Sequence, residues 1–264
     1  MNNEPTQSAG SKPADDEKRK RRDDSPAAWT IMHGDADFPR RLLDEIAGTK
    51  FLEVHGTGDR SILKQQSVGL ICSVQCPGSI VIQTFDAIRE LRDVGIVVAG
   101  GFHSPMEKEC LDFLLRGEQP VIVCPAKGLA RLRMPAAWRA AMDAGRLLLI
   151  SPFDDKITTT TKDRAATRNE FVAALSDVIL IPHASQAGQA EAVARQVLHR
   201  HQPLFTFADA ENKGLLERGA HPYHLDEILR LSSPTSCPPS RSSPTPLNSP
   251  LATPTATPNK GLIR

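Results

Sequence analysis

The chain has 264 residues, of which 40% are hydrophobic and 24% charged, so it can bury one substantial core. Its 32 Lys and Arg residues nearly balance its 31 Asp and Glu residues. This balance excludes a generally basic nucleic-acid coat, and any nucleic-acid contact must therefore be local. The sequence has no apolar leader and no uninterrupted apolar run of about 18 residues, so we expect neither export nor membrane insertion.

Residues 1–28 are polar and charged, and they predict a disordered N-terminal tail. They contain a basic run, residues 18–22, with acidic residues on both sides. Such a run is either a solvated mixed-charge segment or an arm that contacts nucleic-acid phosphate without sequence preference. Residues 29–67 are interpreted as a short lead-in segment to the domain that follows.

Short apolar runs alternate with amphipathic helical spans over residues 68–231. Runs that are apolar at every position predict strands covered on both faces, which is typical of a parallel sheet. We therefore expect an α/β fold, a Rossmann-like, doubly wound, mostly parallel sheet with helices on both faces. The predicted strands cover residues 68–72, 96–99, 120–124, 147–150, 178–181 and 203–207, and the predicted helices cover residues 80–92, 106–116, 136–144, 165–175 and 189–200.

The end of the chain predicts one more helix and then a tail. Residues 212–231 are expected to form a short helix whose Leu225, Ile228 and Leu229 pack on the sheet or against a second copy of the protein. Residues 232–264 are dominated by Ser, Pro and Thr. Repeated prolines remove backbone donors, so this segment predicts a disordered tail.

The five cysteines form an odd set without paired CxxC spacing. Four of them fall in or beside apolar strand-like or helical runs, which indicates reduced core residues in a cytoplasmic protein. The same spacing argues against a zinc site, and no cofactor is predicted. The five are Cys72, Cys76, Cys110, Cys124 and Cys237.

The most informative motif is a strand that leads through Gly100 and Gly101 directly into a helix. Glycines at such a turn leave no Cβ in the way of a ligand, and the free N–H groups that open a helix point at an anion. Ligands of doubly wound sheets bind at the carboxyl ends of the strands. Two further loops at that edge offer the Ser73 hydroxyl and the Lys127 charge, which suit an anionic or nucleotide-like ligand.

Arg168 and Asn169 lie on the predicted helix of residues 165–175. The arginine could fork onto a phosphate, and the asparagine could bond a base or a backbone carbonyl. The alternative is that Arg168 pairs with Asp163 or Glu170 in water, which would contribute little.

These residues resemble the DNA-processing protein A group, also called DprA or Smf, over about residues 38–204. The matching segments are Phe-Pro-Arg-Arg-Leu at 38–42, Leu-Glu-Val-His-Gly-Thr-Gly at 52–58, Val-Gly-Leu-Ile-Cys-Ser at 68–73, Val-Ala-Gly-Gly at 98–101, residues 121–129, residues 144–152, and the helix that starts with Arg-Asn at 168–169. The last match is the most specific. The resemblance implies phosphate contacts from Ser73, Gly100, Gly101 and Arg168, supported by Asn169.

The resemblance also implies a function. It implies single-stranded DNA binding at the strand ends, homodimer formation, and transfer of that DNA to a RecA-type recombinase during uptake or recombination, without catalysis. Three arginines of the family pattern are replaced, by Val74, His103 and Glu170. Each replacement removes a charge, so we expect a weaker affinity for single strands with a shallower dependence on salt. From the sequence after the core, we expect no winged-helix module like that of the family.

Two other functions remain open on the residues alone. The first is a Rossmann-like sensor of a free nucleotide or a nucleotide-derived signal. The second is a nucleotide N-glycoside hydrolase, because Glu107 and Glu109 lie close to His103 in the sequence and a carboxylate could activate water. His103 could instead donate to a phosphate in place of an arginine, with the two glutamates holding it charged.

Overall fold

The computed structural model describes residues 28–43 and 50–232, which form one nine-stranded sheet with helices on both faces. The strands are β1 (Ala28–Met32), β2 (Glu53–Thr57), β3 (Ser67–Leu70), β4 (Val97–Gly100), β5 (Val121–Val123), β6 (Leu147–Ser151), β7 (Val178–Leu180), β8 (Leu204–Thr206) and β9 (His221–Pro222). The α-helices are α1 (Gly78–Asp93), α2 (Pro105–Leu115), α3 (Ala136–Asp143), α4 (Lys162–Leu175), α5 (Gln189–His199), α6 (Lys213–Glu217) and α7 (Leu225–Ser232). Short 3-10 helices cover Arg40–Leu43, Arg60–Lys64 and Ala210–Asn212.

The strand order is β1-β2-β6-β5-β4-β3-β7-β8-β9. Strands β3 to β9 are parallel, and β1 and β2 add an antiparallel extension beside β6. From β3 the chain adds strands in one direction as far as β6, and it then crosses back to place β7 on the other side of β3. The order of strand addition therefore reverses between β3 and β7. Open α/β sheets bind ligands in the crevice at such a switch point.

The core lies in two layers, one on each face of the sheet. Alternate residues of β4 belong to opposite layers, with Val97 and Ala99 in one cluster and Val98 in the other. The first layer packs under α4 and α5, and the second packs under α1, α2, α3 and α7. The predicted Rossmann-like fold with helices on both faces is confirmed.

The antiparallel extension was not predicted from the hydrophobic pattern, because its strands are only half buried. In β1 only Ile31 is buried, and in β2 only Val54 and Gly56 are. Position 56 requires a glycine, because the ring of Trp29 covers it and a Cβ there would lie 2.2 Å from that ring. Polar, short strands of this kind give little periodic signal.

The prediction of one helix over residues 212–231 is wrong. This segment contains α6, the short strand β9 and α7. Helix α6 ends before Gly219, whose φ of 104° is left-handed, and Pro222 cannot donate within a helix. Ile228 of α7 is fully buried in the second layer, and Leu225 and Leu229 pack against that layer. These side chains therefore pack back on the body of the protein.

Several sequence-based predictions fall outside the described residues. These are the N-terminal tail up to residue 27 with its basic run, the C-terminal tail from residue 233, and Cys237. Over residues 28–43 and 50–232, no helix is both long enough and apolar enough to cross a bilayer. The four cysteines in this part of the chain are free thiols, and Cys110 and Cys124 are buried.

Candidate functional site

A cavity of about 650 Å³ opens at the switch point between β3 and β7. Its wall comes from the loops after β3, β4 and β7 and from the first turns of α4 and α5. This volume is in the range of small-molecule and cofactor sites. The lining residues are Cys72, Ser73, Val74, Gln75, His103, Ser104, Glu107, Thr160, Thr161, Lys162, Ala165, Arg168, Asn169, Ser185, Gly188, Gln189 and Ala190.

Arg168 is the principal cation of the cavity, and it is only 5% exposed. Its Nε donates to Oδ1 of Asn169 at 2.8 Å, and its Nη1 donates to the carbonyl oxygen of Cys124 at 3.3 Å. The guanidinium lies directly on Gly101, where a Cβ would come within 1.3 Å of Nη1. Among the described residues Nη2 has no hydrogen-bond partner, so it remains for a ligand.

Burial lowers the pKa of Arg168, and the nearby carboxylate of Glu107 acts in the opposite direction. An arginine starts from a pKa far above neutrality and stays protonated at physiological pH. The cavity therefore contains a fixed positive charge that is partly desolvated. Such a charge attracts an anion more strongly than an exposed arginine does.

The loops after β3 and β7 are held together at the cavity by Ser73. Its N–H donates to the carbonyl oxygen of His183 at 3.1 Å, and its Oγ accepts the N–H of Ser185 at 2.8 Å. With Oγ used as an acceptor, its hydroxyl hydrogen is left to donate to a ligand. Ser73 is thus both a structural tie and a donor that faces the cavity.

Helix α5 opens into the same cavity. Its N-cap is Gly188, which supplies no side-chain cap. A Cβ at Gly188 would lie 2.8 Å from the carbonyl oxygen of Ser185, so the close turn requires a glycine. The first N–H groups of an uncapped helix are open to solvent or to an anion. Gln189 and Ala190, the first residues of α5, line the cavity.

Glu107 is buried and holds two loops in place at the cavity wall. Its Oε1 accepts the N–H of Cys72 at 3.1 Å, and its Oε2 accepts the N–H groups of His103 at 2.9 Å and Ser104 at 3.1 Å. Ser104 is the N-cap of α2 and accepts the N–H of Glu107, so the two residues form a capping box. The carboxylate contacts the backbone of His103 rather than its exposed imidazole.

Four of the seven predicted site residues meet in this cavity, namely Ser73, His103, Arg168 and Asn169. Gly100, Gly101 and Lys127 are not among its lining residues. A Cβ at Gly100 would lie 3.1 Å from the ring of Phe102, and Gly101 makes room for Arg168. Lys127 follows β5, and its carbonyl oxygen accepts the hydroxyl of Ser151 at 2.9 Å.

Several polar residues of the cavity wall were not predicted from the sequence to be site residues. Thr160, Thr161 and Lys162 lie where α4 begins, and Ser185 and Gln189 lie where α5 begins. Thr161 is the N-cap of α4 and accepts the N–H of Arg164. A run of threonines just before a helix is a sequence signal for such a cap, and it would have placed this turn at the site.

Comparison with known proteins gives a consistent family assignment. The family model described as DNA recombination-mediator protein A matches residues 29–230. Among solved structures, the chain is similar to DNA processing protein A from Helicobacter pylori, which binds single-stranded DNA, with a TM-score of 0.62 and 20% identity over 78% of this chain and 95% of that one. It is also similar to DNA processing protein A from Streptococcus pneumoniae, with a TM-score of 0.64 and 16% identity over 82% of this chain and 77% of that one. No curated protein matches the sequence significantly.

Proposed function

Because the chain belongs to the DNA recombination-mediator protein A family, we propose that it binds single-stranded DNA through backbone phosphates at the switch-point cavity. Family membership supports a role in DNA processing. The observation that carries the proposal is Arg168, a buried cation fixed by three neighbours with Nη2 left for a ligand. The Ser73 hydroxyl and the uncapped start of α5 supply further donors to the same space.

The lining favours contact with the strand backbone over base-specific readout. Apart from Arg168, Lys162 and the His103 imidazole, the donors are hydroxyls, side-chain amides and backbone N–H groups. Such groups commonly bond phosphate and sugar oxygens, and those contacts carry no sequence information. Val74 at the mouth is 70% exposed, so an apolar side chain lies where the family pattern has an arginine. This arrangement supports sequence-independent binding of moderate affinity.

Of the three residues that stand where the family pattern has arginine, only two line the cavity. Val74 and His103 line it. Glu170 does not line it; its carboxylate pairs with Lys50 and accepts from Gln196. We therefore attribute the expected loss of affinity to the first two replacements, and we expect fewer phosphate contacts and a shallower salt dependence than an intact family pattern would give.

We assign no catalysis to the cavity. The hydrolase alternative needs a carboxylate that is free to take a proton from water. The Glu107 carboxylate already accepts three backbone N–H groups, and Glu109 is an exposed residue outside the cavity lining. These contacts favour a structural role for Glu107 over that of a general base.

The test of this function is competition binding with the parent chain. A fluorescent oligo-dT should bind with an affinity that falls linearly on a log–log plot against salt. An unlabelled strand should displace it far better than dTMP does. Displacement by dTMP as effective as by the strand would instead favour a nucleotide sensor, and release of free base from a nucleotide would favour a hydrolase.

We further propose that the protein acts as a dimer and transfers the bound strand to a RecA-type recombinase. The family description, a recombination mediator, supports this role. Light scattering on the purified chain should give twice the monomer mass. Addition of the protein should speed recombinase assembly on strands already covered by a single-strand-binding protein, and an unchanged assembly rate would count against the role.

A further inference from the structure

The carboxylate of Glu107 occupies a position that is built for an anion. Three backbone N–H groups converge on it, from Cys72 after β3 and from His103 and Ser104 after β4. All three donors belong to residues that line the cavity, and Glu107 itself is 6% exposed. Converging N–H groups at the start of a helix form a characteristic anion site. Here a side chain of the protein fills that site.

Capping alone does not account for these contacts. A capping box explains why Glu107 accepts the N–H of Ser104, the N-cap residue. The bonds to His103 and Cys72 lie outside that motif, and Cys72 is 35 residues away in the sequence. The carboxylate therefore joins the ends of two neighbouring strands, at the edge where a ligand would bind.

The same carboxylate offsets the charge of Arg168. Glu107 is close enough to oppose the effect of burial on the pKa of the guanidinium. Both side chains line the same cavity, so the negative charge of Glu107 partly offsets the positive charge of Arg168 there. Of the other described residues in the lining, only Lys162 carries a permanent positive charge. An incoming phosphate thus meets a negative charge beside its principal cation.

We propose that Glu107 is an internal substitute for a phosphate and that it determines the specificity of the cavity. It fills the anion position formed by Cys72, His103 and Ser104, and so it limits how many phosphates of a strand the cavity accepts. The other donors of the cavity are left for an anion, namely Nη2 of Arg168, the hydroxyl of Ser73 and the start of α5, all of which belong to lining residues. This inference rests on the proposed function, which supplies the phosphate-bearing ligand.

The experiment compares Glu107→Gln with Glu109→Gln in the full chain. Glutamine is accepted at this position of a capping box, so α2 keeps its start, while the amide nitrogen of the glutamine cannot accept the N–H of Cys72 as the second carboxylate oxygen does. Glu109 lies two residues further along α2, is exposed and lines no part of the cavity, so its variant removes the same charge as a control. We expect Glu107→Gln to bind oligo-dT about tenfold more tightly, because a like charge beside the phosphate is removed. Glu107→Ala also empties the position, so its log–log salt dependence should steepen by about 0.7 if one further phosphate is bound there.

A gain of affinity cannot arise from partial unfolding, so it separates this role from a purely structural one. The inference is overturned if Glu107→Gln and Glu109→Gln both keep the affinity of the parent, or if Glu107→Gln binds less tightly than the parent. If the parent does not bind oligo-dT at low salt, the proposed function fails, and inorganic pyrophosphate then tests the inference alone. Pyrophosphate should raise the melting temperature of Glu107→Gln more than that of the parent, and equal shifts would overturn the inference.

Discussion

At the scale of single residues, the site depends on how closely Arg168 approaches the backbone. The guanidinium takes the space in which Gly101 would carry a Cβ, and two further contacts fix its plane. The sequence predicted both residues as site residues, but for separate reasons, with the glycine leaving room for a ligand. In the structure the guanidinium of Arg168 fills the space beside Gly101. Periodicity could not reveal this contact, because it joins residues 67 positions apart.

Replacing Gly101 with alanine should displace Arg168. We expect a loss of about 1–3 kcal/mol in the free energy of unfolding, because the added methyl overpacks the site, and a fall in oligo-dT affinity as large as that of Arg168→Ala. The control is Gly78→Ala, since Gly78 opens α1 with no atom near its Cβ position. Urea denaturation and anisotropy measure both effects. Parent-like binding by Gly101→Ala would contradict the placement of the guanidinium.

The buried thiols predict a pH dependence of stability. Burial raises the pKa of both Cys110 and Cys124 to about 12. In the unfolded chain a thiol ionises near pH 8.5, about its ordinary value. Below that pH the stability that depends on the neutral thiols is complete, and it is lost as the pH rises toward 12. Urea denaturation from pH 7 to pH 10 should show a decline of up to about 1.4 kcal/mol per pH unit for each thiol. The decline should be smaller in Cys124→Ala, and an identical decline would contradict the assignment.

At the scale of elements, α4 carries the site because its first turn forms part of the cavity wall and its middle holds Arg168. Its N-cap, Thr161, accepts the N–H of Arg164 at 3.2 Å. One side of α4 faces the core through Phe171 and Val172, both fully buried. The sequence predicted this helix from the spacing of its apolar residues. It did not predict the cap, and therefore it missed the contribution of Thr161 to the cavity.

Substitutions at Thr161 should separate stability from binding. Thr161→Ala should lower the free energy of unfolding by about 1 kcal/mol, because the cap is lost. Thr161→Asp should keep the stability, because aspartate also caps helices, but it should weaken oligo-dT binding by adding a negative charge to the cavity wall. Thr158→Ala, at an exposed position before the helix, serves as the control. Equal affinities of the aspartate variant and the parent would argue against an anionic ligand in this cavity.

At the scale of the whole molecule, the switch point brings distant loops to one place. The apolar strands were predicted because continuous hydrophobic runs of this length are distinctive. The candidate edge followed from the parallel sheet, because ligands of such sheets bind at the carboxyl ends of the strands. The convergence of the loops after β3, β4 and β7 depends on strand order, which the pattern of a single sequence does not contain. For the same reason Ser73 and Ser185 were assigned to separate loops, although they share a hydrogen bond.

The N-terminal elements pack into the same core as the helix that carries the site. The ring of Phe51 meets the ring of Phe171 edge-on, with 5.1 Å between centroids. Phe51→Ala should therefore lower the free energy of unfolding of the whole protein by about 3–5 kcal/mol, in one transition. Its exposed neighbour provides the control, since Leu52→Ala should change the free energy by less than about 0.5 kcal/mol. A separate early transition, seen by calorimetry, would show that the N-terminal elements unfold independently.

The most direct measurement is the salt dependence of oligo-dT binding by Arg168→Gln and Arg116→Gln, each with the parent-like fold checked by its melting temperature. Both variants remove one positive charge, but Arg116 ends α2 at the opposite edge of the sheet and is exposed. We expect Arg168→Gln to bind far more weakly, with a log–log slope shallower by about 0.7, and Arg116→Gln to bind like the parent. Equal losses in both variants, or none in Arg168→Gln, would contradict a phosphate site at the switch point.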